Sequence, residues 1–516
     1  MSDLTIRPAW KRPLYTALRD GYEPAPAGFI TRRPYYPWVV VGTTCIAAFI
    51  GQLDASIVQL ILPTLEHEFL ARLSEVSWVA IAYLLAYAAF LPVFARIAGI
   101  AGRKLMYLTG FALFTLASAL CGLASDLIQL IALRALLGIA GAMLGANSIV
   151  ILVRAVGPSR RGRAMGIFAT AQAVGVSMGP VVGGVLLAAL GWRWVFWVSV
   201  PFALAGAVIG WLVIPQTTDL ASNRRFDAHG AILLMPALTA LLLTITENHS
   251  WGLTSPIIIA STVASAVLLW LFIRRERRIP EPLVNLDLFR IIPFAGGILA
   301  IVLSYAMLYG IFFLMSFALV RGYHASPLAA GLRLAIIPVA LGIVAPFSGT
   351  LHDRLGVRIV LLSGMGICIA ALILISVVLT GTPDSLPRVT VALAVFGAGL
   401  GLFIAPNNSA TMSAAPLDRG GEAGGLLNLM RVFGTSIGVA GASAVLSWRL
   451  AALTGVGDRT LAAPEEALLA VVSDGLLLLI GFAIVAGATS MFRASPPALK
   501  AAWASDFHGY PKPSPR

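Results

Sequence analysis

Long apolar stretches alternate with short polar loops along almost the whole chain. A helix that crosses a bilayer needs about 20 predominantly apolar residues. Stretches that approach or exceed this length lie at 38–61, 76–98, 104–124, 127–153, 164–189, 194–214, 229–246, 254–273, 293–320, 328–350, 358–380, 389–412, 422–447 and 475–492. The pattern predicts an all-α polytopic membrane protein with 14 transmembrane helices.

Composition narrows the function classes. The chain has 516 residues, of which 59% are hydrophobic and only 11% charged, whereas soluble domains carry about 25% charged residues. The formal net charge of +13 comes from residues between the apolar stretches, which favours a membrane surface over nucleic acid as the contact. The lysines and arginines also fall mostly on the side that holds the N-terminus, so the positive-inside rule places both termini in the cytoplasm.

Cofactor chemistry is not predicted. Cys45, Cys121 and Cys368 lie within apolar stretches, and the six histidines are scattered over loops and helix ends. Neither a disulfide framework nor a metal site follows from these spacings. The chain also lacks a phosphate-binding glycine loop, which argues against an ATP-driven pump.

Two similar loops indicate an internal repeat. The loop ARIAGIAGRK (95–104) follows predicted helix 2, and GTLHDRLGVR (349–358) follows predicted helix 10. Repeated halves are typical of transporters, and an arrangement of six, two and six helices makes helices 2 and 10 equivalent. The predicted regions are an N-terminal cytoplasmic tail (1–36), a first half (37–215), an inserted helix pair with its linker (216–290), a second half (291–493) and a C-terminal cytoplasmic tail (494–516).

Asp54 is the one charged residue between Pro34 and Leu65. An aspartate at the centre of a membrane helix costs roughly 2.5–3.5 kcal/mol on insertion scales. This cost makes Asp54 a candidate functional residue.

Four motifs resemble the major facilitator superfamily, in its fourteen-span drug:H⁺ antiporter branch. They are LDASIVQLILP (53–63), LRALLGIAGA (133–142), GVSMGPVVGG (175–184) and GLLNLMRVFGTSIGVA (425–440). The resemblance covers about residues 38–492. It implies alternating access between two halves and proton-driven efflux of drugs, with multidrug resistance as the physiological outcome.

The resemblance implies that helices 1 and 4 line the central cavity. Asp54 and Arg134 each lie about seven residues from the predicted outer end of their helices, so the two side chains are at matching depth, roughly 10 Å from that end. Burial favours a neutral carboxyl group and a nearby arginine favours the carboxylate, so Asp54 could carry a proton. The alternative is a permanent structural ion pair, or an aspartate capped by Ser56 or by backbone.

The third motif resembles the antiporter signature of helix 5. Gly175, Gly179 and Gly183 recur every four residues, with Gly184 beside them, and Pro180 bends the helix. The resemblance implies a tight seam between the halves, suited to exchange. Plain helix packing is the alternative.

The two repeated loops correspond to the cytoplasmic gating loops of the family. The residues that match are Gly102, Arg103 and Lys104 in the first loop and Gly349, Asp353, Arg354, Gly356 and Arg358 in the second. The first loop has Gly99 where the family has aspartate, so its usual contact is in doubt, although Arg103 and Lys104 could still pair with acids or lipid headgroups.

Several residues are candidates for the substrate cavity. An aromatic cavity would suit a flat or cationic lipophile; lipid-facing or packing roles are the alternative for the aromatic residues. Backbone hydrogen bonding is the alternative for the arginine, and capping of a helix end is the alternative for the paired asparagines. The candidates are Tyr83, Tyr87, Tyr305, Tyr309, Asn407, Asn408, Asn428 and Arg431.

The predicted function is proton-coupled antiport that exports amphipathic or lipophilic compounds. A transporter of a lipid, an anion or another metabolite is the first alternative. A membrane-embedded lipid-modifying enzyme is remote, because no cluster of catalytic residues is visible in the sequence. The expected partners are a small amphipathic substrate, protons and the bilayer, without nucleic acid. We expect a monomer in a bacterial plasma or inner membrane, with accessory efflux proteins as an open option.

Overall fold

The computed structural model describes residues 23–157, 160–217, 228–251, 255–279, 284–416, 419–455 and 460–491. Most of both predicted tails, at 1–22 and 492–516, lies outside these residues. Within them the long helices are α1 (Tyr36–Phe69), α2 (Leu73–Ala101), α3 (Arg103–Cys121), α4 (Leu127–Val156), α5 (Arg161–Ala189), α6 (Arg193–Trp197 continued by Ser199–Val213), α7 (Ala228–Trp251), α8 (Pro256–Glu276), α9 (Ile292–Phe317), α10 (Pro327–Leu355), α11 (Val357–Val378), α12 (Leu386–Ala414), α13 (Gly420–Thr454) and α14 (Glu465–Met491).

The helical membrane architecture is confirmed. In the described part of the chain, 13 of these helices are long and apolar enough to cross a membrane. The exception is α7, whose apolar part is Ile232–Ile245. A bond from Trp78 Nε1 on α2 to Glu247 Oε1, 2.8 Å long, ties α7 to the bundle.

Helix contacts repeat with an offset of eight helices. Helix α1 packs mainly on α5, and α4 packs on α2 and α3; in the same way α9 packs on α13, and α12 packs on α10 and α11. The two sets meet through α5 with α10 and through α2 with α13, while α7 and α8 pack together and α7 lies against α2 and α13. This arrangement places a pseudo-symmetric interface at the centre of the molecule.

Two glycines break the chain at equivalent points. Gly102 separates α2 from α3 with φ 114°, and Gly356 separates α10 from α11 with φ 82°. Residues with a side chain rarely adopt positive φ. At Gly102 the space is also taken, because an added Cβ would overlap Glu23 Oε1.

Glu23 occupies the N-terminus of α3. Its carboxylate accepts hydrogen bonds from the backbone N–H of Leu105 at 3.3 Å and of Thr217 at 2.7 Å. A negative charge stabilises the positive end of a helix dipole. The segment before α1 thus ties together the ends of α3 and α6.

Candidate substrate and proton sites

A cavity lies at the interface of the two helix sets. It is lined by residues from α1, α2, α3, α4, α5, α9 and α13, and the empty space of this region, part of it open solvent, is about 700 Å³. Helices α1 and α4 line it, as the resemblance implies. The position matches the usual location of ligand sites between the helices of bundles and between transporter repeats.

All four candidate tyrosines, Tyr83, Tyr87, Tyr305 and Tyr309, line this cavity. The rings of Tyr83 and Tyr87 lie 6.1 Å apart, and Tyr309 donates a hydrogen bond to Gln52 Oε1 at 3.3 Å. Aromatic faces and phenol groups from both helix sets therefore surround the space.

Arg431 and Asn428 also line the cavity. Arg431 Nη1 donates to Gln172 Oε1 at 2.9 Å, and Nη2 donates to Asn428 Oδ1 at 2.6 Å. The guanidinium carbon lies 5.8 Å from the centroid of the Tyr305 ring. The alternative interpretation of Arg431, hydrogen bonding to backbone carbonyls, is wrong for these bonds, since neutral side-chain amides accept them.

Asn407 and Asn408 are not among the residues that line this cavity, so the structure does not bring them together with the other substrate candidates. Asn407 is fully buried and donates to Gly297 O on α9 at 3.2 Å. Both asparagines lie within α12 (Leu386–Ala414) rather than at its end. Asn407 therefore packs within one helix set and does not cap a helix.

Asp54 and Arg134 form a buried ion pair. Arg134 Nη1 lies 2.6 Å from Asp54 Oδ2, and each side chain is 1% exposed. Arg134 Nε donates to Val79 O at 2.9 Å, and its guanidinium carbon lies 4.4 Å from the centroid of the Tyr83 ring. Asp54 is not a lining residue of the cavity, but Tyr83 touches both the cavity and Arg134.

The second carboxylate oxygen of Asp54 has no hydrogen-bond partner. The capping alternative fails for Ser56, whose hydroxyl donates to Gln52 O and Leu53 O. A permanent ion pair stays open. An unpartnered buried carboxylate oxygen is costly, and protonation would lower this cost by removing the buried charge.

The glycines of α5 make close helix contacts. A Cβ on Gly175 would lie 2.6 Å from Phe49 O and one on Gly179 would lie 2.9 Å from Ile57 N, both on α1. A Cβ on Gly184 would lie 2.7 Å from Pro327 O on α10. The motif therefore lets α5 approach α1 on one face and α10 on another.

The predicted outer ends of the two helix sets are in contact. Ser77 and Ser443 hydroxyls lie 2.5 Å apart, and Arg321 Nη2 donates to Pro63 O at 2.9 Å. Glu66 on α1 accepts hydrogen bonds from Thr460 N at 2.7 Å and from the Thr460 hydroxyl. These contacts close the cavity at this end.

Sequence analysis missed Glu66. The apolar stretch of helix 1 ends near 61, but α1 continues to Phe69 and Glu66 is fully buried. The signal in the sequence was the position of this acidic residue, only three residues after Pro63. It is a second buried carboxylate on the helix that carries Asp54.

The gating-loop residues fall at the two glycine breaks. Lys104 is fully buried, and its Nζ donates to Pro24 O at 2.7 Å and to Trp211 O at 2.9 Å. Of the two alternatives for Lys104, acids or lipid headgroups, this burial argues against headgroups, and Glu23 is the acid whose charge acts on Lys104. In the second loop Arg354 and Arg358 are exposed, and the side chain of Asp353 lies outside the described residues.

The fold and the central cavity define a membrane transporter built from two similar helix sets. Residues 44–439 match the Major Facilitator Superfamily, and the chain belongs to this family. It is a transporter and not an enzyme.

Named relatives refine the comparison. The chain is 32% identical over 429 residues to the multidrug resistance protein Stp of Mycobacterium tuberculosis, covering 82% of this chain and 78% of that protein. It is 28% identical over 403 residues to the riboflavin transporter RibZ of Clostridioides difficile, covering 78% of this chain and 87% of that protein. A bacterial homologue of the human lysosomal transporter Spinster, solved in an inward-facing conformation, has the same fold with a TM-score of 0.60, 16% identity and coverage of 89% and 97%.

Proposed function

We propose that this transporter is a proton-coupled antiporter that exports amphipathic or lipophilic compounds by alternating access. The observation that carries the proposal is the buried Asp54–Arg134 pair, with one carboxylate oxygen of Asp54 unpartnered and Tyr83 between the pair and the cavity. The similarity to a multidrug resistance protein supports the direction of transport.

The proposed cycle uses the interface of two halves, 37–215 and 291–493, with 216–290 inserted between them. The contacts at the predicted outer end correspond to a cavity that receives substrate from the cytoplasm. After the halves rock to open outward, substrate leaves and Asp54 takes a proton from the more acidic side. When the halves rock back and the outer end closes, Asp54 becomes accessible from the cytoplasm. Arg134 then favours release of the proton to that side.

Gly175, Gly179, Gly183 and Gly184 serve the same cycle in this proposal. Their lack of side chains keeps α5 close to α1 and α10, so that protons and ions do not leak between the halves. Pro180 adds to this contact, because a Cβ on Gly331 of α10 would overlap its carbonyl oxygen. The loops around Gly102 and Gly356 are proposed as the cytoplasmic hinge points.

Transport of another metabolite is the second candidate. The 28% identity to a riboflavin transporter favours it. The purified chain reconstituted in vesicles separates the two candidates. A proton-coupled exporter should move a lipophilic dye uphill when a pH gradient is the only driving force. A metabolite transporter should move riboflavin and should not move the dye. Absence of uphill movement for every compound would contradict proton coupling.

The proposed location is a bacterial inner membrane, with both termini in the cytoplasm and the chain acting as a monomer. Single cysteines test the orientation. A cysteine at Arg277, after α8, should react only from the cytoplasmic side, and one at Ala462, between α13 and α14, only from outside. Labelling of the Arg277 position from outside would overturn the layout.

A further inference from the structure

The charge of the cavity is unbalanced. Within the part of the chain that the structure describes, Arg431 is the one charged side chain among the cavity-lining residues. Asp54 is outside the lining, and its charge is already matched by Arg134 at 2.6 Å. Arg431 is half-buried, and its described partners are the neutral amides of Gln172 and Asn428.

A partly desolvated guanidinium without a counter-ion is unfavourable. Arginine has five N–H donors in a planar fork that fits a carboxylate. The two bonds to Gln172 and Asn428 hold the group in place and use two of these donors. The remaining donors and the positive charge are available to a ligand, while a cation placed beside Arg431 would be repelled.

The tyrosine rings around the cavity favour a second property of the ligand, which is a flat aromatic ring. Among the lining tyrosines, Tyr87 on α2 and Tyr305 on α9 are half-buried and can offer ring faces, whereas Tyr83 and Tyr309 are only 2% exposed. Aromatic pairs add attraction beyond the burial of area. A flat ring placed against Tyr305 would lie close to Arg431, whose guanidinium carbon is 5.8 Å from the centroid of the Tyr305 ring.

From this charge and shape we infer that the preferred substrates are aromatic anions, with a carboxylate or enolate held by Arg431. The inference rests on the proposed function and adds its substrate class. It also has a physical advantage for export, because the inside-negative membrane potential favours outward movement of an anion. Lipophilic cations, which the tyrosines alone would accept, are disfavoured.

The test uses three probes with one ring system: naphthalene carboxylate, naphthalene carboxamide and naphthyl trimethylammonium. Binding to the purified full chain in detergent is measured by calorimetry at one near-neutral pH, without any gradient. We expect the carboxylate to bind roughly tenfold more tightly than the ammonium, the scale of one charge-assisted hydrogen bond. Equal binding of the three, binding of none, or preference for the ammonium overturns the inference.

Variants assign the preference to Arg431. Arg431→Gln should weaken carboxylate binding by roughly tenfold and leave carboxamide binding within about twofold, while Arg431→Lys, which keeps the charge, should retain most of the preference. Arg333→Gln is the matched control, because Arg333 on α10 is half-buried, bonds to Ala329 O at 2.9 Å and does not line the cavity. An unchanged carboxylate affinity in Arg431→Gln overturns the inference.

Transport in vesicles separates this inference from the proposed function. Uphill export of the ammonium probe in preference to the carboxylate would overturn the substrate class and leave proton-driven export intact. Tight carboxylate binding without transport of any probe under a pH gradient would contradict proton-driven export and leave the ligand class of the cavity supported.

Discussion

The two arginine centres of the membrane interior differ in how their charge is matched. Arg134 lies against the carboxylate of Asp54, 1% exposed, with the ring of Tyr83 over its guanidinium. Arg431 lines the cavity and bonds to two neutral amides. The first centre is enclosed and close to neutral, whereas the second is accessible and positive. In our proposal the first centre handles the proton and the second contacts the substrate.

Loss of the carboxylate at the first centre should have the largest effect. Asp54→Asn removes the group that we propose takes and releases the proton, so uphill export driven by a pH gradient should fall to the level of protein-free vesicles. Substrate binding at Arg431 should persist, since Asp54 does not line the cavity. Transport in reconstituted vesicles and calorimetric binding measure the two properties separately.

Folding needs its own control, because Asn leaves Arg134 as an unpaired buried charge, a change that costs about 3–5 kcal/mol. The double variant Asp54→Asn/Arg134→Gln removes both charges and should regain thermal stability in detergent without regaining coupling. Asp54→Glu keeps a titratable group and should retain partial transport. Wild-type uphill transport by Asp54→Asn would make the ion pair structural only.

A bulky residue on the glycine face of α5 should have the next largest effect. In Gly179→Leu the new Cβ would lie 2.9 Å from the backbone nitrogen of Ile57, which cannot rotate away. Helix α1 must then move, and with it Asp54, so exchange in vesicles should be lost although the protein still inserts. The matched control is Gly166→Leu on the same helix, where a Cβ meets nothing within 4 Å. Equal transport by both variants would show that the close contact has no role in exchange.

The comparison of Arg134 and Arg431 also shows which of their contacts could be predicted from the sequence. The Asp54–Arg134 contact followed from two things together: the family resemblance implied that helices 1 and 4 line one cavity, and the two residues lie at equal distance from the outer ends of these helices. The partners of Arg431 did not follow, since Gln172 lies 259 residues away on α5 and helix rotation decides which face it shows. Asn407 lies outside the cavity lining and bonds to Gly297 O on α9, because composition alone does not separate a buried packing face from a cavity face.

Helix ends were the other source of error. Hydropathy ended helix 1 near 61, while the helix continues to Phe69 because Glu66 finds partners across the interface. Glu23 shows the same effect at the opposite end, where a polar segment before α1 binds the start of α3. Tertiary partners for these carboxylates lie far along the chain, so no local pattern reveals them.

Glu66 offers the smallest and most specific test, because it belongs to the outer contact and to neither arginine centre. Glu66→Gln keeps the shape of the side chain but leaves one acceptor oxygen for the two Thr460 donors, and the loss of one hydrogen bond costs about 1 kcal/mol. The population with a closed outer end should then fall by about fivefold relative to the open one. The pair Ser77→Cys/Ser443→Cys reports that population by the rate of oxidative cross-linking, since the serine hydroxyls lie 2.5 Å apart.

Glu68→Gln is the control, because Glu68 lies two residues further on and faces Arg193 of the same helix set at 3.7 Å. Glu66→Gln should slow cross-linking several-fold and leave the carboxylate preference of Arg431 unchanged. An unaltered cross-linking rate would show that Glu66 does not hold the outer end closed, and an altered ligand preference would show that the outer contact and the second arginine centre are not independent.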